Sequence, residues 1–284
     1  MQRVLSTYLF SKRKLIPALL AEVERARIPA IEVYCTRPHW DYYSPQDARE
    51  LADTLATHHL TLHSLHAPMS RDSSAARESA LPLSICDPER VRRLDAVDEV
   101  KRALDVAEII PFRFLVQHMG TGREPLEPRY RDAAFSSLEH LMLFAKQRGV
   151  TIALENTPGE MGAPAALRQF IQETRLQELR LCFDLGHAHL GEGVAASLET
   201  MRELVVTTHV HDNHGEKDEH LLPYEGTIDW KAALKTLPAE LPIVLELKEP
   251  AAAGGSAELS AFAETLRGAS AVFDKFEHAL TAKA

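Results

Sequence analysis

Residues 204–220 read LVVTTHVHDNHGEKDEH. The first five, Leu204 to Thr208, are apolar or β-branched and read as a buried strand. Directly behind them come His209, His211, His214 and His220, set among carboxylates. Burying a polar group costs free energy unless it is paired, so packing alone is a poor account of a strand that ends this way. Coordination of a divalent cation satisfies several such groups together, and imidazole with carboxylate suits zinc, manganese, cobalt or iron. The stretch is the signature of a metalloenzyme.

Outward from this stretch, short apolar runs alternate with longer segments of helical spacing. Strands are predicted over residues 4–10, 30–35, 60–66, 114–118, 150–155, 179–184, 204–211 and 242–247. Residues 88–110 carry Val91, Leu94, Val97, Val100, Leu104 and Ala107 along one stripe, a helical pattern. Residues 129–147 repeat it with Phe135, Leu138, Leu141 and Phe144. Eight strands alternating with helices predict a parallel α/β sheet, and eight is the number that closes a (β/α)₈ TIM barrel. A doubly wound open sheet is the alternative, disfavoured because no glycine-rich nucleotide turn follows the first strand.

Length and composition agree with one barrel. The 284 residues suit the ~250 that such a barrel often uses, and no break in composition divides them, so residues 1–284 are read as a single domain. No stretch approaches the ~20 apolar residues that span a bilayer. The N-terminal MQRVLSTYLFSKRK leads into Lys12, Arg13 and Lys14 instead of a small-residue cleavage site, so it reads as a first strand and not a signal peptide. Cys35, Cys86 and Cys182 are odd in number and far apart, with no CxxC, which suits a reducing cytoplasm and argues against both a disulfide framework and a cysteine metal site. The net charge of −9 disfavours a broad nucleic-acid-binding surface.

Active sites of such barrels lie at the C-terminal ends of the strands. Read in order, those ends supply His66, His118, Glu155, Asp184 with His187, His209 with His211, and Glu246. Any one of them has a bland explanation as a hydrogen-bonded or ion-paired group. Six strands placing ligand-type residues at the same end by chance is a far poorer account. Two loops add to the picture. Residues 69–87 are rich in Ser, Ala and Arg and follow His66, which marks them as an active-site cover, and residues 251–258 form a second flexible candidate. Trp40, Tyr42 and Tyr43 follow the second strand and either stack on a substrate or cap the barrel.

With these ends in place the chain resembles the xylose isomerase-like barrels, which include sugar isomerases and epimerases and the AP endonuclease family 2 enzymes. The matching strings are HAP at 66–68, ENTPG at 155–159, CFDLGH at 182–187, HVHDN at 209–213, DEHLLPYEGTIDW at 218–230 and LELK at 245–248. Their order and spacing are specific for the superfamily, not for one reaction. The resemblance implies a central divalent metal (manganese, cobalt or zinc) on Glu155, Asp184, His209 and Glu246. His211 stays open as a substitute for His209, since both face one side of the strand by period-two alternation. His66, His118, His187, Asp218 and His220 then bind substrate or further metal.

Two chemistries follow from the resemblance. The first is isomerisation or epimerisation of a sugar or sugar phosphate through an enediolate, with Glu155 and Glu246 trading a proton. Arg71, Arg77, Arg123, Lys217 and Lys248 are candidate anchors for a phosphate. The alternative is an endonuclease IV-like phosphodiesterase with three zinc ions, acting at abasic sites in DNA, the one reading that needs a nucleic-acid partner. Two details favour sugars: HMGTG around His118 departs from the HPG form of the endonucleases, and DEHLLPYEGTIDW has the form of the sugar phosphate isomerase/epimerase branch, with Tyr224 where that branch has glycine. A cytoplasmic enzyme without membrane contact, and a homo-oligomer by analogy, complete the expectation.

Overall fold

The structure is a computed structural model that describes residues 1–71, 81–249 and 256–281. Arg77 and residues 251–255 of the second flexible candidate lie outside the described residues. Eight parallel strands close into a barrel: β1 (Arg3–Ser6), β2 (Ala30–Tyr34), β3 (Thr61–His66), β6 (Phe114–His118), β7 (Thr151–Glu155), β8 (Arg180–Asp184), β9 (Val205–Val210) and β10 (Ile243–Leu245). β10 pairs with β1, so the barrel closes on itself and the doubly wound alternative is excluded. The remaining strands, β4 (Ser70–Arg71) and β5 (Leu81–Pro82), form a short antiparallel ribbon inside the loop read as a cover, whose residues 72–80 lie outside the described residues.

Nine helices occur among the described residues: α1 (Pro17–Arg25), α2 (Pro45–Thr57), α3 (Arg90–Asp105), α4 (Pro128–Lys146), α5 (Pro164–Thr174), α6 (Leu185–Leu190), α7 (Val194–Met201), α8 (Trp230–Thr236) and α9 (Ser256–Thr281). α1, α2, α4 and α5 begin with proline in the first turn, where its fixed φ suits the helix and its missing N–H is not needed. None of the helices is long and apolar enough to cross a membrane. α9 lays Phe262, Phe273 and Phe276 against the barrel wall, where all three are buried.

Two expectations need correcting. The first strand stops at Ser6, and Thr7–Phe10 turn into a 3₁₀ helix because the Ser6 hydroxyl accepts the Tyr8 N–H. On α3 only Val97, Val100 and Leu104 of the predicted stripe are fully buried. Val91 and Leu94 are 66% and 46% exposed, because this first part of the helix faces outward. Trp40 and Tyr42 are buried, and the hydroxyls of Tyr42 and Tyr43 donate to Glu99 on α3 at 2.6 and 2.5 Å. These hydrogen bonds brace the second loop against α3.

Candidate metal centre and active site

The barrel brings the strand-end residues into contiguous groups whose donor atoms, within each group, lie within 4.8 Å of one another. Glu155, Asp184, His209 and Glu246 form the central group. His66 and His118 join Glu155 on one side, and His187, His211, Asp218 and His220 gather on the other. His209 and His211 are thereby separated: His209 Nδ1 lies 3.2 Å from Glu155 and 3.4 Å from Glu246, whereas His211 Nε2 lies 3.2 Å from Asp184 and 3.7 Å from Asp218.

Backbone detail explains the convergence. Asn156 accepts the Asp184 N–H at 2.8 Å and donates to the Asp184 carbonyl at 2.9 Å, tying the ends of β7 and β8 together. Asp184 then caps α6 by accepting the His187 N–H at 2.6 Å, which turns that ring back over the site. A side chain at Gly186 would meet the His211 ring at 2.0 Å, so only glycine lets the ring lie there. The loop carrying Asp218 and His220 is knotted around buried Asp212, which accepts from Asn213 N, Tyr224 N, Ile228 N and Trp230 Nε1 at 2.7 to 3.2 Å. His220 and Tyr224 both hold left-handed φ values, 49° and 79°, unusual for residues with a Cβ.

The electrostatics are those of a compact carboxylate–imidazole cluster. Burial alone would raise the Glu155 carboxyl, but the charges of His209 and His118 and the hydrogen bonds from His118 and His187 hold it well below the usual range. Asp184 is lowered against its own burial by His187 and His211. His220 is pushed up to about 9: burial opposes its charge, but the hydrogen bond to Asp218 and the nearby Glu246 outweigh it. Despite this network, buried Glu155 Oε1, Asp184 Oδ2, His209 Nδ1 and both ring nitrogens of His211 have no hydrogen-bond partner of good geometry. Three of these unpaired atoms belong to the central group, and mixed oxygen and nitrogen donors suit a divalent cation, so the residues present fit one.

Four residues near the site were not anticipated. Glu32 on β2 lies beneath the central group against His209, and the Cys182 thiol lies beside Glu155 and His209. Tyr8 and Tyr34 wall the site: Tyr8 lies 4.8 Å from the His220 ring and Tyr34 5.0 Å from the His66 ring, centre to centre. Burial first, then Glu246 and Asp218, push the Tyr8 hydroxyl up to about 12. Tyr34 ends β2, so the rule that found the histidines would have found it had it been extended to aromatics, whereas Tyr8 lies in the 3₁₀ turn after β1, inside the predicted first strand. The anchor candidates Arg71, Arg123, Lys217 and Lys248 are exposed, and Arg71 pairs with Asp95 at 3.2 Å.

Comparisons agree with the architecture. Residues 20–266 match the family model described as Xylose isomerase-like TIM barrel. Uncharacterized protein MJ1311 of Methanocaldococcus jannaschii is 28% identical over 229 residues, covering 77% of this chain and 73% of that protein. Among solved structures, a D-tagatose 3-epimerase-like protein superposes with TM-score 0.77 at 21% identity, covering 100% of this chain and 99% of that one. L-ribulose 3-epimerase gives 0.77 at 17%, covering 100% and 97%. The IolI protein with a bound zinc atom gives 0.73 at 16%, covering 99% and 98%. At these identities the structural likeness is one of fold. With the family model matched over most of its length and the barrel closed as described, this chain belongs to the xylose isomerase-like TIM barrel family.

Proposed function

We propose that the protein is a divalent-metal-dependent isomerase or epimerase of a sugar or sugar phosphate, with Glu155 and Glu246 as its proton-transfer groups. The observation that carries this reading is the convergence of those two buried glutamates with Asp184 and His209 on one point at the C-terminal mouth of the barrel. Glu155, Asp184, His209 and Glu246 would hold the cation, which when bound polarises a carbonyl and its neighbouring hydroxyl. The names of the similar epimerase structures point to the same substrate class.

The residues divide the remaining work. Glu155 ends β7 and Glu246 follows β10, with β8 and β9 between them, so the two approach from different parts of the wall. Removing a proton beside a carbonyl and returning it on the other face or the adjacent carbon needs two such groups. Glu246 keeps slight access to solvent, while Glu155 is enclosed by His66, His118, His187 and His209 at 3.1 to 3.5 Å. The two glutamates flank the substrate, one taking the carbon-bound proton as a carboxylate and its partner, protonated, returning one, with the roles exchanged in the reverse direction. Tyr8 and Tyr34 supply flat apolar walls against which a sugar face packs.

The test is solvent exchange. Incubating the metal-loaded enzyme with ketoses and aldoses, free and phosphorylated, in deuterated water should label one carbon-bound hydrogen of the substrate that turns over. Turnover without label would remove the proton-transfer scheme. A second reading, hydrolysis of a phosphodiester at abasic DNA, is favoured by one observation: the flanking groups offer ligands for two more cations. About three zinc ions per chain, with cleavage of abasic DNA and no sugar turnover, would establish it instead.

A further inference from the structure

Glu32 is a glutamate in the middle of an apolar strand, two residues below the end of β2, level with Ser64 of β3. Its side chain is fully buried. In the barrel β2 and β9 are separated by β1 and β10. Glu32 nevertheless reaches the β9 histidine, with Oε1 and Oε2 at 3.0 and 3.2 Å from His209 Nε2. The Ser64 hydroxyl donates to Oε2 at 2.8 Å and fixes the carboxylate from the side. The other ring nitrogen, Nδ1, faces Glu155, Glu246 and Asp184 at 3.2, 3.4 and 3.9 Å and has no hydrogen-bond partner of its own.

One nitrogen of the ring is thus engaged from below, and the other is left for whatever the central carboxylates hold. Enclosing a carboxylate carries a desolvation cost that its partners must offset, and an apolar side chain of similar volume would fill the same space without that cost. A role in packing alone is therefore a poor account of Glu32. A histidine that ligates a metal generally donates its second N–H to a carboxylate or carbonyl, which fixes the tautomer and the ring orientation.

We propose that Glu32, braced by Ser64, is a positioning residue of the metal centre: it accepts the Nε2 proton of His209, holds the ring with Nδ1 toward the cation, and so sets the affinity and coordination geometry of the site. The assignment rests on the metal-dependent reading above. Glu32 lies beneath the ligands and acts through His209, not on a substrate.

The experiment compares chelator-stripped wild type with Glu32→Gln, Glu32→Ala and Ser64→Ala, each first checked for folding by circular dichroism and thermal unfolding. Mn²⁺, Co²⁺ and Zn²⁺ affinities are read by titration calorimetry, the Co²⁺ form by its visible absorption, and the His209 tautomer by ¹⁵N NMR of the Zn²⁺ form. Glu32→Gln keeps shape and an accepting oxygen but loses the charge. It should bind metal on the order of 10–100-fold more weakly, the usual cost of losing such a partner, with an altered cobalt spectrum. Ser64→Ala should show a smaller change in the same direction. In the wild-type zinc form Nε2 should carry the proton and Nδ1 the metal. A folded Glu32→Gln with wild-type affinity and cobalt spectrum, or a wild type ligated through Nε2, overturns the proposal. Should Glu32→Ala fail to fold, the other two variants decide. A wild type that binds metal with the expected tautomer but turns over no sugar removes the proposed reaction and leaves the role of Glu32 standing.

Discussion

Glu155 and Glu246 differ in how tightly they are held, and that difference predicts how their variants should fail. Glu155 is shared between the central group and the His66–His118 group, with histidines around both of its oxygens. Removing its charge leaves buried imidazoles without their carboxylate partner, a costly change. Glu155→Gln should therefore abolish turnover and also lower metal content and melting temperature. Glu246 has fewer neighbours, His209 at 3.4 Å and His220 at 3.8 Å. Glu246→Gln should abolish turnover, by 10³-fold or more on the order expected for a lost acid–base group, and weaken metal binding by the loss of one ligand, while the melting temperature of the metal-free protein stays near that of wild type. Activity assays with elemental analysis and thermal melts separate the two outcomes, and an active Glu246→Gln enzyme would sink the two-glutamate scheme. Most ligand-type residues were legible in the sequence because they sit at the ends of apolar runs, whereas Asp218 and His220 follow a polar stretch and were legible only through the family's motif. Glu32 was not: a single glutamate in AIEVY reads equally well as the solvent side of an alternating strand.

Between residue and molecule stand the elements, and here irregularities decide where side chains point. Ile31 pairs with Leu62 but Glu32 pairs with Ser64, so His63 is an extra residue in β3. Leu181 pairs with Val205 but Cys182 with Thr207, so Val206 is extra in β9. Each shift offsets the alternation along its strand, and strict period-two reasoning from the sequence cannot place it. Strand number and order were legible because the apolar runs are well separated by helical segments. The loop of residues 212–230 was legible as a motif but not as a shape, since its geometry depends on four donors meeting one buried carboxylate. That dependence is testable. Asp212→Asn leaves two of the four donors, either Asn213 N with Ile228 N or Tyr224 N with Trp230 Nε1, facing an amide NH₂ in place of an acceptor. The cost should be about 1–3 kcal/mol, seen as a lower urea midpoint. The same variant should show faster proteolysis within the loop and weaker binding by the group that contains Asp218 and His220. Unchanged stability and cleavage would mean the loop is held by its other contacts.

At the scale of the whole molecule, the barrel accommodates polar side chains beneath its site. Glu32, Ser64, His63, Thr207 and His209 are all buried, with His63 Nε2 bonded to the Thr207 hydroxyl at 3.2 Å across the interior. Such a layer makes the fold sensitive to acid through the group least able to carry charge there. Burial, opposed by Glu32 and reinforced by Arg113 and His209, lowers His63 from its ordinary value to about 4. The unfolded chain has no such environment, so its His63 takes up a proton near pH 6.5. Between those two values the unfolded state binds more protons than the native state, and stability rises with pH. The contribution of His63 is thus fully present above about pH 6.5 and is lost progressively as the pH falls toward 4. On moving from pH 7 to pH 5, the wild type should lose about 2 kcal/mol that His63→Gln does not lose, because glutamine can keep the bond to Thr207 without titrating. Urea unfolding of both proteins, chelator-stripped at both pH values, measures the difference directly and cancels the contributions of the other titrating groups. Parallel losses in the two proteins would show that His63 is accommodated in its charged form, with water or Glu32 supplying the compensation.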